Sequence, residues 1–410
     1  MTAGWAHGWA GRFEDRFTSS FAEVGAGAVE RERTRTLPYD AVETLRASGL
    51  TRVSVPTEFG GLGASAAEVF ELLARLATED SNVAQIFRSH FALVDRLVST
   101  PADPRRERVL RLIGGGAIFG NASHERSSAE IGSLSTRLTR DDGGWRLTGT
   151  KYYSTGTLFA DWVAVSAQGE DGERFGVIAP TDAAGTRRID DWTGFGQRLT
   201  GSGTTVFDEV EIADEDVQRR GTGVTEETHD SSFLQLVLLA SADGIGRAIV
   251  RDAVDFVQRR TRVYSHGSGE TARQDPIVQE TIGELSGLSY QAAAAVRTAA
   301  GAIAAASEAG AAGHPSAALS EAANEATTAA QLVVFPAVLR AATLLFEVGG
   351  ASATDTARGL DRHWRNARTI ASHNPARYKA RALGDALLNS TGLAGFWSTG
   401  ESRAASPAGM

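Results

Sequence analysis

The 410-residue chain contains no cysteine. That single absence excludes disulfides, thiolate zinc sites, iron–sulfur clusters and cysteine nucleophiles. Its eight histidines show no paired spacing of the kind a metal site uses. Basic residues are outnumbered, 41 Lys and Arg against 50 Asp and Glu, and the net charge of -9 argues against nucleic acid or an anionic membrane as a partner. The first residues, MTAGWAHGWAGRFEDRF, lack the apolar run of a secretory signal, and no window reads as long enough to span a bilayer. A cytoplasmic protein is therefore expected. Motifs are missing as well. There is no Gly-x-Ser-x-Gly elbow, and Ser123, His124 and Glu125 are too adjacent to form a triad. Gly114, Gly115, Gly116 and Gly120 lie between a helix and a strand, the wrong order for a dinucleotide fingerprint.

What is present divides into three parts and a tail. Residues 1–116 read as helical. Gly11 to Glu32 is expected to form one helix, Pro38 opens another and Gly49 closes it. Ser65 caps a helix striped with Val69, Phe70, Leu72, Leu73 and Leu76, and a further helix is read from about Asn82 to Val98. At Ala117 the period changes to short alternating runs separated by turns such as DDGG and GEDG, giving a β-domain over 117–227. The helical period returns over 228–397, with Gly244, Gly246 and the Ala-rich run from Gln291 marking closely packed helices. The tail, 398–410, reads as disordered.

The stretch Gly359–Lys379, GLDRHWRNARTIASHNPARYK, carries the densest chemistry. Arg362, Arg365 and Arg368 flank Trp364, and a break follows at His373, Asn374 and Pro375. Asn374 is a good N-cap and proline suits a first helical turn, so a helix is expected to begin at Pro375. The local field there opposes a second positive charge, which keeps His373 neutral near pH 7. On these residues alone, His373 is either a base or hydrogen-bond partner, or a packing residue at a helix junction.

Several pieces of the chain, taken in order, carry a resemblance. They are VPTEFGG (Val55–Gly61), His90, GNASHE (Gly120–Glu125), LTGTKYYSTG (Leu147–Gly156), DDWTGFGQR (Asp190–Arg198), Arg262 and the Gly359–Lys379 stretch. Together they are similar to the acyl-CoA dehydrogenase superfold and, within it, to the reduced-flavin-dependent, dibenzothiophene monooxygenase-like branch. The fold this implies is α+β: an N-terminal helical domain, a central β-barrel or sandwich, and a C-terminal four-helix bundle. The dehydrogenases place a Glu after an Arg-Asp helix to remove the substrate α-proton. Here the helix reads Arg365-Asn366-Ala367-Arg368 and the next segment Ser372-His373-Asn374-Pro375, with no carboxylate to serve as that base.

The resemblance implies FMN as cofactor, used as FMNH2, with FAD the alternative. Since no nicotinamide module is present, a separate NAD(P)H:flavin reductase would supply it. O2 would be activated as a C4a-(hydro)peroxyflavin and passed to a small aromatic or heteroatom-bearing substrate. His373, Thr155 and His90 take the catalytic roles by this comparison. Asn121, Ser123, Tyr153, Ser154, Thr155, Trp192, Arg262, Asn374 and Lys379 take the cofactor-binding ones, Arg262 reaching the flavin phosphate of a neighbouring subunit in a homotetramer. The rival readings are an acyl-CoA dehydrogenase or oxidase with bound FAD, and a non-catalytic assembly protein.

Overall fold

The N-terminal helix breaks where the sequence has Gly27. In the computed structural model, which describes residues 12–13, 15–126, 134–220, 228–263 and 265–393, the expected single helix is two, α1 (Thr18–Ala26) and α2 (Ala28–Thr34). α3 (Tyr39–Ser48) starts after Pro38 and stops at Gly49, whose φ of 86° is the left-handed conformation glycine adopts freely. α4 (Ala66–Ile86) opens on a full capping box, Ser65 and Glu68 each bonding the other's main-chain N–H. It kinks at Asp80, where φ/ψ is -150°/107°. The helix read from about Asn82 is thus the end of α4, followed by α5 (Arg88–Ser99) and α6 (Pro104–Gly114).

Eight strands follow: β1 (Phe119–Ala122), β2 (Arg137–Asp141), β3 (Gly144–Lys151), β4 (Trp162–Gln168), β5 (Arg174–Pro180), β6 (Thr186–Ile189), β7 (Thr204–Ile212) and β8 (Val217–Arg220). They run in the order β6-β7-β3-β2-β4-β5-β8, with β1 added against β4. The two halves of this sheet meet at one residue pair, Arg137 with Gln168. That narrow seam lets them fold face to face. Leu138, Leu147, Phe207 and Val210 from one half share a core with Val163, Val165, Phe175 and Val177 from the other.

The remaining helices are α7 (Asp230–Arg259), α8 (Pro276–Ala311), α9 (Ala317–Leu344), α10 (Asp361–Ala371) and α11 (Ala376–Asn389). α7 is packed by α4, α8 and α9 in one continuous apolar core. Two segments, Asp230–Arg259 and Ala317–Val348, are long and apolar enough to cross a membrane, which corrects the expectation that none would be. The first is 89% buried in its apolar window and so serves as a core helix, while the second is only 50% buried and keeps an uncovered face. The tail read as disordered falls within 394–410, outside the described residues.

Charges inside this helical core are paired. Arg247 of α7 meets Glu71 of α4 at 2.9 Å and Asp243 at 2.6 Å, all three buried. Removing the cation strands two carboxylates in a low-dielectric site, which typically costs about 3–5 kcal/mol. Arg247→Ala should therefore lower the urea midpoint of the purified protein markedly. An unchanged midpoint would mean that α4 and α7 do not depend on this triad.

Candidate active site

One of the contacts between the β-domain and the helices is the loop of residues 190–203. Gly196 lies so close to α10 that a Cβ there would sit 2.0 Å from the Arg365 carbonyl, so only glycine fits. The Gln197 N–H donates to Asn366 Oδ1 at 2.6 Å, and Arg365 donates to the Phe195 carbonyl at 3.0 Å. A second loop, 152–156, is wedged under the α4/α5 break: a Cβ on Gly156, at φ 81°, would meet the Ile86 carbonyl at 2.4 Å. The charges of His124 on the β side and of Arg88 on α5 both act on His373, which joins these loops and the α10/α11 junction into one candidate cleft.

The β side of the cleft is aromatic and hydroxylic. Tyr153 has φ 56°, a left-handed conformation that is strained for a tyrosine, and its ring is 40% exposed. It touches His124, at a centroid distance of 5.3 Å, and Trp192, at 5.9 Å. Trp192 is fixed by its indole N–H donating to the Gln197 carbonyl at 3.0 Å. Asn121 Oδ1 accepts from the Ser123 hydroxyl at 2.7 Å at the end of β1. The Thr155 hydroxyl joins a chain through Ser202 and Thr200, each link 2.7 Å. Ser154 is buried, and its hydroxyl has no partner among the described residues.

The helical side is built around the α10/α11 junction. Contrary to expectation, Asn374 does not cap α11. The helix begins at Ala376 with extended Pro375 as its N-cap residue, while the Asn374 amide N–H donates to Gln235 Oε1 of α7. Its carbonyl accepts from Gln331 of α9 at 2.9 Å. His373 is thereby held at the open edge of the cleft. Although the residue has solvent access, the protein packed around its ring and the charge of Arg88 push its pKa from 6.5 down to about 3. His373 is therefore neutral at pH 7. The cause is enclosure and Arg88, rather than a helix terminus. No carboxylate occurs among Ser372, His373, Asn374 and Pro375.

Three further nominated residues are placed as follows. His90 is fully buried, its Nε2–H donating to the Thr51 carbonyl at 2.6 Å and its Nδ1 accepting from the Phe119 N–H at 3.2 Å. With both nitrogens occupied it ties α5 to β1 and presents no atom to a substrate, which corrects its catalytic assignment. Arg262 is exposed on the loop after α7. Lys379 is half-buried on the second turn of α11. Conversely, Arg88, His124 and Gln235 belong to the cleft but were not nominated. The only advance sign was that His124 sits inside GNASHE.

His90 gives the protein a pH signature. Burial lowers the His90 pKa from 6.5 to about 4. The unfolded chain therefore binds the more protons between those values, and stability is lost as pH falls from 6.5 toward 4. In an NMR titration the His90 ring should remain neutral at pH 5, with the urea midpoint falling over that interval. A His90 resonance titrating near 6.5 would show that the ring is not held between Thr51 and Phe119.

Comparison with known proteins bears directly on this arrangement. Residues 236–378 match the family described as "Acyl-CoA dehydrogenase, C-terminal domain". Dibenzothiophene monooxygenase of Mycolicibacterium goodii is 30% identical over 378 residues, covering 88% of this chain and 90% of that protein. A probable FMNH2-dependent monooxygenase of Pseudomonas putida is 28% identical, covering 88% and 91%. The crystal structure of TdsC from Paenibacillus sp. A11-2 in complex with FMN and indole superposes with a TM-score of 0.85 at 26% identity, covering 93% of this chain and 98% of that one.

Proposed function

Because the chain belongs to the dibenzothiophene monooxygenase family of flavin-dependent enzymes, within the acyl-CoA dehydrogenase superfold, we propose that it oxygenates a small aromatic or heteroatom-bearing compound in this cleft with FMNH2 from a separate reductase. The observation that carries the reading is the segment Ser372-His373-Asn374-Pro375, which sets an imidazole and no carboxylate where the dehydrogenases need a base. The FAD-dependent dehydrogenase alternative lacks its base at this position.

The residues present fit a flavin ring. Tyr153 and Trp192 offer aromatic surface at the cleft wall, and Asn121 with Ser123 offers donors and acceptors at its edge. Bound reduced flavin supplies the electrons that activate O2. The chain's own groups then have separable tasks. Neutral His373 has one N–H to donate and one nitrogen to accept, so it can lend and recover a proton without adding charge. The Thr155 hydroxyl is held by the Ser202–Thr200 chain, which leaves it a lone pair or a proton for the reacting centre. Arg126 covers Tyr152, 3.6 Å from the ring centroid, and helps close the aromatic wall against water.

Assembly is part of the proposal. The half-covered face of α9 borders an open apolar groove of about 480 Å3 that includes Leu339, Leu344 and Trp364. We read this face as covered by another copy in a homotetramer, which would let exposed Arg262 reach a neighbour's flavin phosphate. Light scattering at micromolar concentration should give a tetramer. Arg262→Ala should weaken reduced-FMN binding by about ten- to a hundredfold, the loss expected for one charge-assisted contact. Arg259 is the better control because Arg260 is engaged with the Val348 carbonyl at 3.0 Å. A monomer, or equal flavin binding by Arg262→Ala, would remove the shared site.

His373→Ala tests the chemistry itself. The variant should fold and bind flavin, yet form product about a hundredfold more slowly, the scale of a positioned proton donor or acceptor. H2O2 should appear in place of product. Full rate and full coupling in this variant would return His373 to a packing role.

A further inference from the structure

Most arginines around the cleft have an acid: Arg31 pairs with Asp80, Arg35 with Asp190, Arg362 with Asp252 and Arg365 with Glu32, all at 2.7–2.8 Å. Arg88, the first residue of α5, does not. Its Nε–H donates to the Leu234 carbonyl of α7 at 2.9 Å, and its two terminal nitrogens have no partner among the described residues. Burial alone perturbs its ionisation, pulling it down to about 10, with no carboxylate acting on it. The cation is felt by His373. A partly buried guanidinium without a counter-charge costs the free protein some of its solvation, and in a chain of net charge -9 such a site stands against the general balance.

We propose that Arg88 is the counter-charge for an anionic group on the substrate, so that this enzyme acts on a small organic acid carrying a carboxylate or sulfinate rather than on a neutral heterocycle. The proposal rests on the monooxygenase reading above. With Nε anchored on main chain, the Nη1/Nη2 edge is left in a fixed plane, matching two oxygens of a carboxylate or sulfinate in a bidentate contact. The groups assigned to the flavin ring, Asn121, Ser123, Thr155 and Trp192, all come from the β-domain, whereas Arg88 hangs on the helical wall formed by α5 and α7. His124, half-buried and held below its ordinary pKa by burial and the Lys151 charge, adds a neutral partner on the β side.

The test uses FMN-loaded protein and two matched probe pairs: indole-2-carboxylate with indole, and methanesulfinate with dimethyl sulfone. Calorimetry should show at least one acid binding about tenfold or more tighter than its neutral partner. Arg88→Gln should abolish that preference while leaving FMN affinity and the binding of the neutral probes unchanged. Arg88→Lys, which keeps the charge but loses the planar fork, should retain part of it. Equal binding of acid and neutral probe by the parent, or no acid binding in the millimolar range, would overturn the proposal. Loss of FMN affinity in Arg88→Gln would do so as well, by assigning the cation to the flavin. Failure of the monooxygenase reading has a different signature, namely no FMN binding or no O2 uptake with reduced flavin in the parent protein.

Discussion

The Glu32 carboxylate is 3% exposed, and three parts of the molecule meet on it. One oxygen accepts from Arg365 of α10 at 2.7 Å, and the other from the Asn82 amide at 3.0 Å. Asn82 follows the Asp80 kink of α4, where Asp80 accepts from its main-chain and side-chain nitrogens. Asn82 Oδ1 in turn receives the Leu199 N–H of the β-domain loop at 3.3 Å. A straight α4 would carry Asn82 away from this meeting point. The kink is thus a requirement of the docking, and the docking fixes the distance between the hydroxyl wall and the α10/α11 junction. Such a network stabilises only when every member is satisfied.

That framework explains how one fold can host oxygenation in place of dehydrogenation. A carboxylate at position 373 would add negative charge where an electron-rich oxygen species must form, whereas a neutral imidazole offers a proton without that penalty. His373 lies within the field of Arg88, which disfavours a second positive charge on its ring. Arg88 therefore dominates the local field, and charge on the incoming molecule matters more here than it would in an open groove.

The local punctuation was legible in the sequence. Pro38, Gly49 and the Ser65–Glu68 pair mark helix ends by mechanisms that act within four residues, and the β-alternation from Ala117 reports a buried face directly. The family resemblance then supplied the order of the parts and the candidate cleft residues. What escaped depends on distant partners. Asn374 has the local properties of a cap, but Gln235, 139 residues away, takes its amide. His90 has the same helical spacing whether it faces a cavity or the Thr51 carbonyl. Arg88 gives no sign in sequence that every acid lies out of reach. The reading that no window could span a bilayer overlooked α7, which is as apolar as a membrane segment because other helices enclose it.

Asn374 is held from two sides. Gln235 and Gln331 grip its side chain and carbonyl from two different long helices, and the residue immediately before it is His373. The backbone bearing the imidazole is therefore clamped by amides that carry no net charge and do not titrate. Its aim is settled when the chain folds, so little orientational entropy remains to be lost as the reaction proceeds. The same clamp is insensitive to pH and to salt, which leaves the ring itself as the variable element of the junction.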